Sequence, residues 1–134
     1  MSDPLQQLAE TLRAEGGLLA ETVGDGAAAP ADARLPPERA FAIEAIREGH
    51  LLHGPGGRVV RTDDADLALL AGDRLYALGL AELAAAGDLE AVRAMAEAIA
   101  GAATARGAGD DAEAEAAWDR GVCAITQRRS NGDR

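Results

Sequence analysis

Two histidines near the middle of the chain have a type and spacing that could hold a ligand. His50 and His53 are three positions apart in a segment with helical periodicity, so both side chains lie on one side of the helix. That spacing can place two imidazoles on one metal ion, but only two ligands are visible and no cysteine supports them. The favoured alternative is that both histidines lie in the last helical turn and interact with the end of the helix dipole.

Three carboxylates follow the histidines and could bind Mg²⁺, which prefers oxygen ligands. Asp63 and Asp66 would share a face of a helix, whereas Asp64 would point elsewhere. The cluster also lies where a helix is predicted to begin. We therefore favour an interpretation in which Asp63 caps that helix and Asp66 complements its dipole.

The connection between the histidines and the carboxylates is rich in glycine. Backbone N–H groups of residues 54–57 could bind a phosphate, and Arg58 is a further candidate for ligand binding. Pro55 removes one donor, however, and phosphate-binding loops usually follow a strand rather than a helix. A flexible connection is the favoured interpretation.

Helical periodicity and capping residues predict that helices position these side chains. The chain is 48% hydrophobic, much of it alanine, which favours helix. Interruptions are expected at residues 16–17 and 24–37. Residues that can cap a helix stand at four predicted starts: Ser2, Asp63, Asp88 and Asp110. The predicted fold class is all-α, an antiparallel bundle of five or six helices in one domain over residues 1–134, with a flexible tail at 130–134.

Charge and composition argue against several classes of function. The formal net charge is −10, and all 13 basic residues are arginine. Such an acidic domain would repel the phosphates of nucleic acids, so no nucleic-acid partner is expected. No apolar run has the length of a membrane span, and the first residues lack the pattern of a signal peptide. The single cysteine, Cys123, cannot form an internal disulfide and is expected to be buried, so the cytoplasm is the predicted location.

One predicted helix, from about residue 63 to residue 86, is apolar nearly all round. A helix without a wide polar face is central to a fold or to an interface. Any side left in water would expose an apolar patch, which soluble monomers usually avoid. We therefore expect at least a dimer, in which a twofold partner buries the same helix.

Residues 40–86 resemble the all-helical trans-prenyltransferases, or polyprenyl diphosphate synthases. Three segments carry the resemblance: Ile43-Glu44-Ala45-Ile46, Leu51-Leu52-His53 and Ala68-Leu69-Leu70-Ala71-Gly72-Asp73-Arg74-Leu75-Tyr76-Ala77-Leu78. The resemblance implies an isoprenoid-synthase-like bundle. It also implies that the apolar helix lies in a subunit interface, to which we assign Asp73, Tyr76 and Leu80.

The resemblance further implies a metal site whose ligands this chain lacks. In the family, the Leu-x-His element leads into an Asp-Asp-x-x-Asp cluster that holds Mg²⁺ against the substrate diphosphate. Here the aligned residues 54–58 read GPGGR, and the chain has no lysine to hold a second diphosphate. We therefore expect a catalytically silent module without a cofactor. It would form a homodimer or act as an accessory subunit of a full-length prenyl synthase in isoprenoid metabolism.

Two alternatives stay open. An apolar cavity inside the bundle could bind a lipid or a prenyl chain, and a structure would distinguish such a cavity from a filled core. The chain could also be a residual Mg²⁺-dependent prenyltransferase that uses Asp63, Asp64 and Asp66 as metal ligands.

Overall fold

Six helices form the computed structural model, which describes residues 3–132 and the side chains of residues 3–127. The helices are α1 (Pro4–Glu15), α2 (Gly17–Glu21), α3 (Pro37–Leu52), α4 (Ala65–Ala85), α5 (Leu89–Gly107) and α6 (Asp111–Gly132). No strand forms within the described residues, where an isolated antiparallel bridge joins Val23 and Val60. The prediction of an all-α helical bundle is therefore confirmed. The predicted tail at 130–134 begins inside α6, and its last two residues lie outside the described part.

Aspartate side chains cap four of the described helices, α1, α4, α5 and α6. Asp88 and Asp110 each accept the N–H of the third residue that follows, at 3.1 and 3.0 Å. The predicted cap Ser2 lies outside the described residues, and α1 is capped by Asp3, which accepts the N–H of Leu5 at 2.8 Å. These bonds satisfy donors that the first turn of a helix leaves unpaired.

The start of α4 differs from the prediction by one residue. Asp64, not Asp63, is the N-cap, and its carboxylate accepts the N–H of Leu67 at 3.1 Å. The reason is local. The hydroxyl of Thr62 accepts the N–H of Asp64 at 3.1 Å and forms a turn before Asp64, so the helix begins one residue after the predicted start. Asp66 lies in the first turn, as predicted.

Glycines allow α3 and α4 to pack closely against each other. A Cβ atom at Gly49 would lie 2.8 Å from the carbonyl oxygen of Gly72. A Cβ atom at Gly79 would overlap the carbonyl oxygen of Ala42 and the side chain of Ile46. Only a hydrogen atom fits at these positions, so the contact between the two helices depends on the glycines.

Two apolar clusters flank α3 and make it the central helix. One cluster joins α3 to α4, α5 and α6 and includes Ile43, Ile46, Leu83, Met95, Trp118, Val122 and Ile125. The other joins α3 to α1, α4 and the loop before α4 and includes Leu5, Leu8, Leu12, Val59, Val60 and Leu75. Burying apolar area on both sides of one helix is the main stabilisation of such a bundle.

α4 is less enclosed than its composition predicts. Within the single chain Leu70 remains 66% exposed, and Leu69, Asp73, Arg74 and Ala77 are exposed beside it. The described part of the chain therefore covers one side of α4 and leaves the other in solvent. None of the described helices combines the length and the apolar character that crossing a membrane requires.

Candidate functional site

Arg58, a predicted ligand-binding residue, lies in the interior between two glutamates of α3. Its Nη1 donates to Glu44 Oε1 at 2.9 Å, and its Nε donates to Glu48 Oε1 at 3.1 Å. All three residues are buried. Arg58 thus neutralises two carboxylates inside the protein, where unpaired charges would be strongly unfavourable.

The same two glutamates fasten two loops to α3. Glu48 Oε2 accepts the backbone N–H groups of Val59 and Val60 at 2.7 and 2.9 Å, and Glu44 Oε2 accepts that of Asp32 at 2.6 Å. Sequence reasoning did not assign these glutamates a role. The signal was their position one turn apart in a helix whose neighbouring residues are largely apolar.

The residues present do not fit the magnesium site that the prenyltransferase resemblance implies. Residues 54–57 carry no carboxylate, and the oxygens of Glu44 and Glu48 already accept hydrogen bonds from the chain. In the described part of the structure no group of three or more acidic, histidine or cysteine side chains is arranged to hold a metal ion. Asp63 and Asp66 are exposed at the start of α4.

The glycine-rich loop uses its backbone donors to end α3. The N–H groups of Gly54 and Gly56 both donate to the carbonyl oxygen of Leu51, at 3.0 and 2.9 Å. Pro55 between them has no N–H. These donors therefore satisfy the carboxyl end of the helix and are not directed at an anion.

His50 is almost wholly buried, with 1% of its surface exposed, where α3 meets α5 and α6. Arg106 Nη2 lies 3.1 Å from His50 Nδ1 and donates to the His50 carbonyl oxygen at 2.6 Å. Glu115 Oε2 lies 3.1 Å from His50 Nε2. The same Nη2 lies 3.4 Å from His50 Nε2, so the guanidinium is close to both ring nitrogens. A neutral imidazole that carries its proton on Nε2 can donate to Glu115 and leaves Nδ1 without a proton towards Arg106.

The surroundings of His50 favour its neutral form. Burial lowers the pKa of His50, the Glu115 hydrogen bond raises it in part, and the nearby charges of Arg106 and Arg47 lower it further. Burial by itself would raise the pKa of Glu115, but hydrogen bonds from Arg47 and His50 bring it below its usual value. The imidazole also stacks on Trp118, with ring centroids 5.3 Å apart.

His53 faces a different helix from His50. Its ring packs across Gly72 of α4 and beside Tyr76, with ring centroids 5.1 Å apart. His53 Nε2 lies 3.3 Å from Asp73 Oδ1, although the two groups are not aligned for a hydrogen bond. His50 contacts α5 and α6 while His53 contacts α4, so the structure does not bring the two imidazoles to one site.

The predicted interface residues of α4 differ in their exposure. The side chain of Asp73 is largely exposed, and the neighbouring Arg74 forms an ion pair with Glu15 of α1. Tyr76 and Leu80 are partly buried and pack against the cluster around Trp118. Burial raises the pKa of the Tyr76 hydroxyl, and Arg106 beside it opposes that shift. Asp73 is thus the member of the predicted set that faces solvent.

A cleft beside α3 has about 420 Å³ of free volume and borders Trp118. The charged groups around it pair with one another, as in Arg34 with Asp32 and Asp119. The Arg34 hydrogen bond lowers the pKa of Asp32 against the opposing effect of burial. Cys123, predicted to be buried, is half-buried near this group. The walls of the cleft therefore combine these ion pairs with apolar side chains such as Leu35, Leu51 and Trp118.

Comparison with known protein families, with curated proteins and with solved structures gives no match for this chain. The resemblance to prenyltransferases therefore stays a prediction that rests on the segments between residues 40 and 86.

Proposed function

We propose that this protein is a catalytically silent, prenyltransferase-like helical module that works by association through α4. It forms a homodimer, or it pairs through the same surface with a full-length prenyl synthase as an accessory subunit. The observation that carries the proposal is the exposed α4 face, which we define as Leu69, Leu70, Asp73, Arg74 and Ala77.

The α4 face has the features of a self-complementary contact. Burial of the exposed leucines at its start against a partner would lower the free energy of the system. The small side chain of Ala77 allows another helix to approach closely. Asp73 and Arg74 carry opposite charges at adjacent positions, so in a twofold pairing Asp73 of one copy can face Arg74 of the other, which within its own chain is paired with Glu15.

The lack of catalysis is supported by the loop where the family has its Asp-rich cluster. Residues 54–58 supply no metal ligand, Gly54 and Gly56 direct their N–H groups to Leu51, and Arg58 is held by Glu44 and Glu48. Binding of a lipid or prenyl chain has less support, because apolar side chains fill the space between the helices.

Replacing Leu70 by glutamate tests the association. We expect the unmodified protein to sediment as a dimer at micromolar concentration and Leu70→Glu to sediment as a monomer with unchanged helical circular dichroism. Leu89→Glu is the matched control, because Leu89 is 70% exposed but lies at the start of α5, outside the α4 face. That control should remain a dimer.

A monomeric unmodified protein would reject self-association. Mixing it with a full-length polyprenyl diphosphate synthase from the same organism then tests whether the protein acts as an accessory subunit. A complex that forms with the unmodified protein but not with Leu70→Glu supports that form, and the absence of any complex rejects the proposal.

The catalytic part of the proposal has its own assay. We expect no condensation of an allylic diphosphate with isopentenyl diphosphate, with or without Mg²⁺. Turnover above the enzyme-free control that disappears in the double variant Asp63→Asn/Asp64→Asn would instead establish the residual prenyltransferase. Turnover that persists in the double variant would also reject catalytic silence, without assigning those two ligands.

A further inference from the structure

We propose that His50 is a pH-sensitive latch that holds the α5–α6 helix pair against α3 and releases it when the imidazole becomes doubly protonated. The proposal is independent of association through the α4 face. It rests on the contacts of one buried side chain with two helices that are distant from it in sequence.

The docked arrangement favours the neutral form of His50. Arg106 Nη2 of α5 lies 3.1 Å from Nδ1 and 3.4 Å from Nε2, and Glu115 Oε2 of α6 lies 3.1 Å from Nε2. A second ring proton would leave the imidazole with no acceptor for the Arg106 donor. It would also place a positive charge in the interior beside Arg106 and Arg47.

No neighbouring group offsets that added charge fully. Glu115 is the nearest carboxylate, but it already pairs with Arg47 at 2.6 Å. Tyr76 of α4 lies beside Arg106 and contributes a neutral hydroxyl. Asp111 and His53 border the adjoining cleft, where Arg106 and Glu115 also lie. The net effect, burial included, lowers the pKa of His50 in the docked state.

α5 and α6 form a helix pair with closer contacts to each other than to α3. Their contact is close, because Gly101 faces Ala117 and Gly121 faces Ala98, where a Cβ atom would lie at 3.2 and 2.9 Å. α3 is joined as closely to α4 through its own glycine contacts. The polar junction around His50 lies between these two helix pairs, so its loss weakens the docking and leaves each pair intact.

The sign of the pH effect follows from the direction of the pKa shift. In the released state His50 titrates near its ordinary value of about 6.5, and in the docked state it titrates lower. The contribution of His50 to docking is therefore complete above about pH 6.5. Below that value the docking equilibrium constant falls by up to about tenfold for each pH unit, until the pH reaches the pKa of His50 in the docked state.

Hydrogen exchange followed by mass spectrometry tests the latch in the whole chain between pH 7.5 and 5.0, after correction for intrinsic exchange rates. We expect protection in α5 and α6 to fall by up to about tenfold per pH unit below 6.5, with a smaller loss in α3 and α4. His50→Gln should remove this dependence, since glutamine can donate to Glu115 but does not titrate. His53→Gln, which changes the other of the two histidines, should retain it.

Three outcomes would overturn the latch. One is an equal loss of protection in all helices, which means global acid unfolding. Another is a His50→Gln variant with the pH dependence of the unmodified protein. If His50→Gln does not fold, an NMR titration of the unmodified protein measures the pKa of His50, and His53→Gln serves to assign the resonances. A His50 pKa at or above 6.5 is the third outcome that would overturn the latch. Emission of Trp118, the single tryptophan, should change with the His50 titration because the two rings stack.

Discussion

At the scale of single residues, Arg58 shows how an arginine beside a glycine-rich loop can serve the fold rather than a ligand. Its guanidinium lies between Glu44 and Glu48, and the three charges are shielded from water together. Their stabilising effect exists only while all three are present, because a buried charge without a partner is costly.

We expect Arg58→Met to lower the free energy of unfolding by about 3–5 kcal/mol, since it leaves two carboxylates buried without a cation. Urea unfolding followed by circular dichroism measures the loss. Arg34→Met is the matched control. Arg34 also pairs with two carboxylates, but its side chain is 45% exposed, so the change should cost about 1 kcal/mol or less.

The triple variant Arg58→Met/Glu44→Gln/Glu48→Gln separates charge from packing. Neutral amides remove the uncompensated charge, so this variant should be more stable than Arg58→Met alone. If both are equally destabilised, the role of Arg58 is to fill space, and the charge argument is wrong.

Local sequence patterns identified Arg58 but could not identify its partners. Glu44 and Glu48 meet Arg58 only because the chain turns back after His53, and that path depends on contacts across the whole bundle. The separate directions of His50 and His53 were missed for the same reason. Their spacing places them on one side of α3, but α6 covers one imidazole and α4 contacts the other.

At the scale of elements, the contact of α3 with α4 depends on residues that have no side chain. Gly79→Ala should destabilise the protein by about 1–3 kcal/mol, because the new methyl group overlaps the Ala42 carbonyl and Ile46. Gly107→Ala at the end of α5 is the control, since no atom lies within 4 Å of its added Cβ. That change should be neutral or stabilising by up to about 1 kcal/mol.

Thermal and urea unfolding of both glycine variants gives the comparison. A Gly79→Ala protein as stable as the unmodified one would mean that α3 and α4 can move apart without cost. Lower helicity in the folded Gly79→Ala protein would point to a change within α4 rather than at the helix contact.

The helices themselves were predictable because their signals are local. Asp88 and Asp110 cap the helices that they precede, and glycines interrupt the chain after α1. The identity of the central helix was not predictable in this way. α4 has the more apolar composition, yet more of α3 is buried, including its charged residues Glu44 and Glu48.

At the scale of the whole molecule, the described part of the chain divides into two closely packed helix pairs. α3 and α4 meet through glycines, as do α5 and α6, and the Trp118 cluster and the His50 junction lie between the pairs. The α4 face is on one pair and the latch joins the two, so the proposed association and the proposed pH response can be changed independently.

The net charge of −10 predicts how association through the α4 face depends on salt. Two copies of so acidic a chain repel each other, and the repulsion extends further at low ionic strength because the Debye length is about 30 Å at 0.01 M but about 10 Å at 0.1 M. We therefore expect the dimer dissociation constant to fall as NaCl is raised from about 10 to about 300 mM, the range that spans these screening lengths.

Sedimentation at several protein concentrations measures this trend, and Leu70→Glu should stay monomeric at every salt concentration. A dissociation constant that rises with salt would contradict the expectation. It would mean that attraction between Asp73 and Arg74 of the two copies outweighs the repulsion of the net charges, since salt weakens exposed ion pairs as well. In that case the double variant Asp73→Asn/Arg74→Gln should abolish the rise. The same variant has the net charge of the unmodified protein. If repulsion dominates, as we expect, its dissociation constant should therefore still fall with salt.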